Sequence, residues 1–382
     1  MIKPLHLSLF VTMSLSLAEA FFVGNGPSTS MAKVTDMPDL ENKDDDGMLL
    51  RTPRKNIERK WSFEGYESSG EMTVDFFLPE DGMVKGCAFF MHGFSQYPEA
   101  YCTTLKRAAD KANVAILAVE TGITSGFVLK EALKNRSDAQ LVLQRAVSQD
   151  TNQCIKMVLE GNDVFKEYGI TKKNVAKRVG VMGHSMGGGL CFPVVAEDLQ
   201  KDIDYVFTMA PAYGVDTFNP ITKGVEKRYA PNSLLLAGSW DIIAPAKKIN
   251  DISAASNEKL ATSIFVDVRG GLHTGFQDRV TLFSIPLLPG LEGTSLILNL
   301  LGIVDSFIFT AFDIVQAFLV ILRVNKRRTG QLAGTRVLMD YFLESMVNEK
   351  KLDLEDVENY LNDHLDDRYE NNFEFSVPKK SA

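Results

Sequence analysis

The run Gly183-His184-Ser185-Met186-Gly187-Gly188-Gly189 directly follows the apolar stretch Val179-Gly180-Val181-Met182. A Gly-x-Ser-x-Gly pentapeptide where a strand turns into a helix has the spacing of a nucleophile elbow. Such a turn is so tight that the serine sits in strained backbone with its hydroxyl lifted clear of the sheet. Glycines two residues before and after it remove the side chains that would collide there. Gly188 and Gly189 let the following helix begin close against the strand. The elbow therefore demands a layered architecture in which buried strands feed directly into helices.

Two partners follow in the order Ser, acid, His. Ser233-Leu234-Leu235-Leu236-Ala237 reads as a short buried strand, and Gly238-Ser239-Trp240-Asp241 leaves its C-terminal end. Ile264-Phe265-Val266-Asp267-Val268 is the next such run, left by Arg269-Gly270-Gly271-Leu272-His273-Thr274-Gly275-Phe276. In an open parallel sheet functional groups gather on loops at the carboxyl ends of the strands, so Ser185, Asp241 and His273 are expected at one edge. A serine hydroxyl is a poor nucleophile unless a base takes its proton, and His273 is the one histidine in such a loop after the elbow. Asp241 would fix its tautomer and stabilise the imidazolium. Asp216 and Asp251 compete for the acid role: Asp216 comes one strand too early, and Asp251 lies in what reads as a helix.

A fourth element lies upstream. Gly86-Cys87-Ala88-Phe89-Phe90-Met91 reads as a buried strand, followed by His92-Gly93-Phe94-Ser95. Acyl transfer builds negative charge on the former carbonyl oxygen, and preorganised backbone N–H groups stabilise it by about 3–4 kcal/mol each. One donor comes from the residue after the nucleophile and one from the loop after the third strand, which here are Met186 and Phe94. Between the leader and the elbow, Glu71 to Leu78 and Val114 to Val119 read as strands. Pro98 to Lys111 and Ala139 to Tyr168 read as helical, the alternation a mostly parallel sheet needs. Pro193 falls inside the helix after the elbow and should kink or shorten it.

From about Trp61 to Phe276 the chain resembles an α/β-hydrolase of the group containing dienelactone-hydrolase-like esterases, cutinase-like polyester hydrolases and chlorophyllases. The elbow is similar to that of the polyester hydrolases. Plant chlorophyllases have a comparable Gly-His-Ser-x-Gly-Gly elbow, typically with Arg where this chain has Met186. The resemblance implies a central, mostly parallel sheet with helices on both faces, and a serine carboxylic-ester hydrolase working through an acyl-enzyme. Its substrate would be a lipophilic ester, as for a chlorophyllase or a lipase. The same three groups could serve an acyltransferase or a perhydrolase. A catalytically silent, membrane-associated binding protein is the other class of reading, against which stands the complete set of three groups in order.

Composition narrows the remainder. The chain has 382 residues, 45% of them hydrophobic, enough for one large core with extensions. A net charge of −8 and a pI of about 5.3, with no basic stripe, exclude a nucleic-acid partner. The four cysteines, Cys87, Cys102, Cys154 and Cys191, show no metal-ligand spacing. With no HExxH, no CxxC and no phosphate loop, no metal or other cofactor is expected. Oligomeric state is not written in the sequence.

Met1-Ile2-Lys3, an apolar stretch from Leu7 to Leu17 and the small-x-small signal Ala18-Glu19-Ala20 read as a signal peptide over 1–20. Phe21-Phe22-Val23 and the Ser/Thr-containing segment after it resemble a plastid transit sequence, whereas the acidic stretch Asp36 to Asp46 does not. Entry into the secretory pathway is expected, with plastid delivery and secretion or ER retention both open. Residues 21–58 read as a transit-like or disordered linker and 59–280 as the hydrolase core.

After His273 comes an apolar helical insertion over 281–328, with its long apolar stretch at 281–322. On a helical wheel Ser295, Asn299, Asp305, Ser306, Thr310, Asp313 and Gln316 gather within an arc of about 140°. Leu, Ile, Val and Phe fill the remaining face. Asp305 and Asp313 would cost about 2.5–3.5 kcal/mol each near the centre of a membrane span. Three readings stay open: core or dimer interface, an interfacial lid lying on a membrane surface with Arg323, Lys326, Arg327 and Arg328 toward headgroups, and a true span. Residues 329–350 read as the closing helix of the core, and 351–382 as an acidic tail with a solvated helix.

Overall fold

The computed structural model of the chain describes residues 40–43, 49–63, 66–93, 98–120, 139–176, 178–196, 202–212, 232–241, 244–257, 262–278, 325–370 and 372–379. The leader, the linker before Leu40, Phe94, Asp216 and the apolar stretch 281–322 lie outside the described residues.

β1 (Leu40–Lys43) and β2 (Leu49–Thr52) pair as a small antiparallel sheet. The main sheet holds β3 (Arg54–Phe63), β4 (Tyr66–Phe77), β5 (Gly86–Met91), β6 (Val114–Glu120) and β7 (Val179–His184). It continues with β8 (Tyr205–Met209), β9 (Asn232–Gly238), β10 (Ser263–Val268) and β11 (Phe373–Ser376). These nine strands lie in the order β11-β10-β9-β8-β7-β5-β6-β4-β3. From β6 to β10 all neighbours are parallel, while β3, β4 and β11 run antiparallel to theirs. Parallel strands covered on both faces read as unbroken apolar runs, and every residue of β5, β7 and β8 is buried.

The helices are α1 (Cys102–Ala112), α2 (Ala139–Glu160), α3 (Asp163–Lys166), α4 (Lys172–Val175) and α5 (Met186–Ala196). After them come α6 (Ala246–Asn257), α7 (Asn325–Val347), α8 (Leu354–His364) and α9 (Asp367–Glu370). The pleat of β7 shows the two layers. A Cβ on Gly180 would meet Met346 of α7, and one on Gly183, of opposite parity, would meet Gly187 of α5. Helices therefore cover both faces. Pro193 does not end α5 early; the helix runs through it to Ala196.

Order reverses around β5: β6 lies on one side of it, and the chain then crosses back to place β7 on the other. The crevice outside the carboxyl ends of β5 and β7 is the topological switch point, the place where sheets of this kind bind ligands.

Two expectations at the ends are corrected. The linker foreseen over 21–58 already holds the paired strands β1 and β2, and from Arg54 it is the strand β3, fully paired with β4. Arg54, Lys55, Asn56 and Glu58 surround a single buried apolar residue, Ile57, because an edge strand needs few apolar positions. The strand is held by charge as well: Arg54 donates through Nε and Nη2 to the buried Asp75, at 2.5 and 3.0 Å. The acidic tail is also part of the fold. Val357 and Leu361 of α8 are buried, β11 pairs with β10, and Phe373 packs where Gly334 of α7 leaves room for its ring. Its few apolar residues are anchors spaced among exposed acids, which is why the segment reads as solvated.

Candidate active site

Ser185 ends the turn between β7 and α5 with φ 54°, a left-handed conformation that a side chain other than glycine adopts only under constraint. The Ser185 N–H donates to the Met209 carbonyl at the end of β8 (3.0 Å), and its own carbonyl accepts from Ala212 N–H (2.8 Å). The neighbouring glycines are required by contact. A Cβ on Gly187 would lie 2.1 Å from the Met91 carbonyl oxygen, and one on Gly183 would lie 2.5 Å from the Gly187 carbonyl carbon.

Asp241 follows β9, and His273 opens a 3-10 turn, His273–Phe276, after β10. The two loops touch backbone to backbone, since a Cβ on Gly238 would stand 2.4 Å from the Gly271 carbonyl oxygen. Ser239 N–H donates to Val268 and Trp240 N–H to the Gly271 carbonyl. The amide of Gln331 on α7 grips Leu272 twice, donating to its carbonyl (2.9 Å) and accepting from its N–H (3.0 Å).

The three side chains converge. His273 Nδ1 stands 2.7 Å from Asp241 Oδ2, and His273 Nε2 stands 2.7 Å from Ser185 Oγ. A carboxylate can only accept, so Nδ1 carries the proton and the Nε2 lone pair faces the hydroxyl. Asp241 Oδ1 is held by Ala244 N–H at 2.9 Å. All three residues are buried, Ser185 most exposed at 8%. Of the competing acids, Asp251 sits on the exposed side of α6. The arrangement can deprotonate the serine as it attacks and return the proton to a leaving group.

Met186 is the first residue of α5, where backbone N–H groups have no intrahelical partner. The loop expected to supply the second donor begins with His92 and Gly93, both buried, with the His92 carbonyl against Gly187 in α5's first turn. Phe94 itself lies outside the described residues. Among the described residues no cluster of His, Cys, Asp or Glu is placed to hold a metal ion.

Sequence reasoning missed three residues around the base. Gln331 is one. The others are His184 and Tyr101: His184 Nε2 lies 2.9 Å from the His273 carbonyl oxygen, and His184 Nδ1 lies 2.7 Å from Tyr101 Oη. A histidine inside the elbow pattern was the available signal for His184. For Gln331 and Tyr101 there was none, because their partners are a distant backbone and a distant ring.

Burial, with the His273 ring nearby, holds His184 well below the usual imidazole range, and burial also lowers His92. In the unfolded chain each titrates at about pH 6.5, so below that value the unfolded state binds more protons. Their contribution to stability is complete above about pH 6.5 and is lost as pH falls toward the depressed folded values. The loss is at most about 1.4 kcal/mol per pH unit for each histidine. Urea unfolding at a series of pH values from 7.5 to 5.5 should show the decline. His184→Gln should make it shallower by about one proton's worth; an unchanged slope would refute the assignment.

A strand order of β3-β4-β6-β5-β7-β8-β9-β10, with a nucleophile elbow after β7, an acid after β9 and a histidine after β10, is the α/β-hydrolase fold. No protein-family model and no curated protein matches the chain. Solved structures do match it. A hyperthermophilic esterase from the archaeon Pyrobaculum calidifontis is similar at 15% identity and a TM-score of 0.42, over 66% of this chain and 82% of that one. Carboxyl esterase 2 from the mycorrhizal fungus Tuber melanosporum is similar at 13% identity and a TM-score of 0.42, over 78% and 97%. Dienelactone hydrolase from Anabaena variabilis is similar at 14% identity and a TM-score of 0.38, over 58% and 88%.

Proposed function

We propose that the protein is a serine carboxylic-ester hydrolase. The observation that carries this reading is the continuous hydrogen-bonded line from Asp241 through His273 to a serine in left-handed backbone at the switch point of the sheet. Ser185 Oγ attacks the ester carbonyl while His273 Nε2 takes its proton, and Asp241 stabilises the imidazolium. Met186 N–H, with Phe94 N–H from the loop after β5, binds the developing oxyanion. The tetrahedral adduct expels the alcohol, which receives the proton from His273, leaving an ester on Ser185. Water, deprotonated by the same histidine, then releases the acid and restores the serine.

A lipophilic ester is the substrate class this reading favours. Its support is the apolar stretch 281–322 with the basic cluster Arg323, Lys326, Arg327 and Arg328 after it, and the half-exposed Trp240 beside Asp241. Among the described residues no helix is long and apolar enough to cross a membrane. Lipid contact at a surface is worth about 25 cal/mol per Å² of apolar area, plus about 1 kcal/mol for each basic residue near anionic headgroups.

Turnover of a p-nitrophenyl ester series of rising chain length, beside chlorophyll and a triglyceride, tests the substrate class. The protein should sediment with anionic liposomes at low salt and be released by high salt or alkaline carbonate. Deletion of 281–322 should abolish sedimentation and spare short soluble esters, while lowering activity on long-chain esters in membranes. Sedimentation unaffected by the deletion would remove the segment from the reading.

A further inference from the structure

Resting on the reading of Ser185 and His273 as nucleophile and base, we propose that His184 is a positioning residue. It is a neutral Nε2–H imidazole that holds the His273 backbone in line with the elbow, with Tyr101 as its anchor. His184 is wholly buried, and its ring stands 5.0 Å from the His273 ring and 6.0 Å from that of Phe276. Both of its nitrogens are committed. The His273 carbonyl can only accept, so His184 Nε2 donates to it at 2.9 Å. His184 Nδ1 is then a lone pair, and the Tyr101 hydroxyl donates to it at 2.7 Å. Tyr101 is itself buried at the end of the 3-10 turn Pro98–Tyr101, which leads into α1.

The placement gives this histidine its effect. His184 directly precedes Ser185, so the residue that feeds the strained turn also fixes the carbonyl of the base. Nucleophile and base are joined twice: once by Ser185 Oγ and His273 Nε2, once by the His184 side chain. The first link must break and re-form as the proton moves; the second does not take part in proton transfer. Gln331 holds the residue before His273 by both its N–H and its carbonyl. A displacement of about 1 Å between reacting groups lowers rates about 100-fold, so a fixed carbonyl matters for turnover more than for substrate binding.

His184→Phe keeps a ring and removes the donor, whereas His184→Gln keeps an N–H for the His273 carbonyl. Per active site titrated with a fluorophosphonate, His184→Phe should lower kcat about 10- to 100-fold with KM within about twofold, and His184→Gln should restore most of the loss. Tyr101→Phe should lower kcat several-fold in the same way. A packing role alone would lower Tm and leave kcat per titrated site intact; that outcome, or a glutamine no better than phenylalanine, overturns the proposal. A second arm needs no activity. Long-range 1H–15N NMR of the histidine-labelled full chain at neutral pH should show His184 as the neutral Nε2–H tautomer, its proton coupled across the hydrogen bond to the His273 carbonyl. An Nδ1–H tautomer overturns the proposal even if wild-type Ser185 is labelled normally. A wild-type protein that does not label, with the Nε2–H tautomer intact, instead removes the hydrolase reading and leaves the contact standing.

Discussion

Ser185→Ala should abolish covalent labelling by a fluorophosphonate and lower turnover by about 10⁴- to 10⁶-fold, with Tm changed little. The size of the effect follows from the geometry: Ser185 Oγ is the atom 2.7 Å from His273 Nε2, and no other nucleophile is placed there among the described residues. His273→Ala should lose nearly as much, because nucleophile and base act as a unit and removing one idles the other. Asp241→Ala should cost less, since its contribution is to tautomer and imidazolium rather than to bond formation. The double variant Ser185→Ala/His273→Ala should be no worse than either single change. Additive losses would mean that the two side chains work separately, and full labelling of His273→Ala would remove it as the base. Ser185→Ala removes a single oxygen atom from a buried residue, so it opens no cavity of consequence.

Much of this site is legible in the sequence. Ser185, Asp241 and His273 each follow a short apolar run that reads as a buried strand, so their shared edge is expected from strand polarity. The glycine pattern around Ser185 reported the steric demand of the turn. What holds the base in place was hidden. Gln331 lies on α7, beyond the insertion, and it touches only the backbone of Leu272, so no side-chain pattern marks the pair. Tyr101 meets His184 across 83 positions of sequence. The two ends of the fold were misread for a related reason. β3 and β11 are outer strands, and an outer strand is stabilised by pairing and by contacts such as Arg54 with Asp75 more than by apolar alternation. Hydrophobic periodicity reports burial, and these segments are buried only in part.

The glycines allow the sharpest test of the elbow itself. Gly187→Ala should destabilise the protein by about 1–3 kcal/mol or more and lower kcat about 100-fold. Its Cβ would lie 2.1 Å from the Met91 carbonyl oxygen and 2.6 Å from that of His92. Carbon and carbonyl oxygen ordinarily approach no closer than about 3.3 Å, so something must move by about 1 Å. β5 cannot yield easily, because it is hydrogen-bonded between β6 on one side and β7 on the other. The first turn of α5 must therefore move, and with it Met186 and the serine whose geometry depends on that turn. Gly82→Ala supplies the contrast. Gly82 has φ 71° and nothing within 4 Å of an added Cβ. Alanine there should cost only the roughly 1–2 kcal/mol of left-handed backbone and leave kcat unchanged. Thermal unfolding and titrated kcat on both variants separate contact from conformation. If Gly187→Ala behaves like Gly82→Ala, the close approach of α5 to β5 is not what sets the elbow. The strained serine would then need another cause.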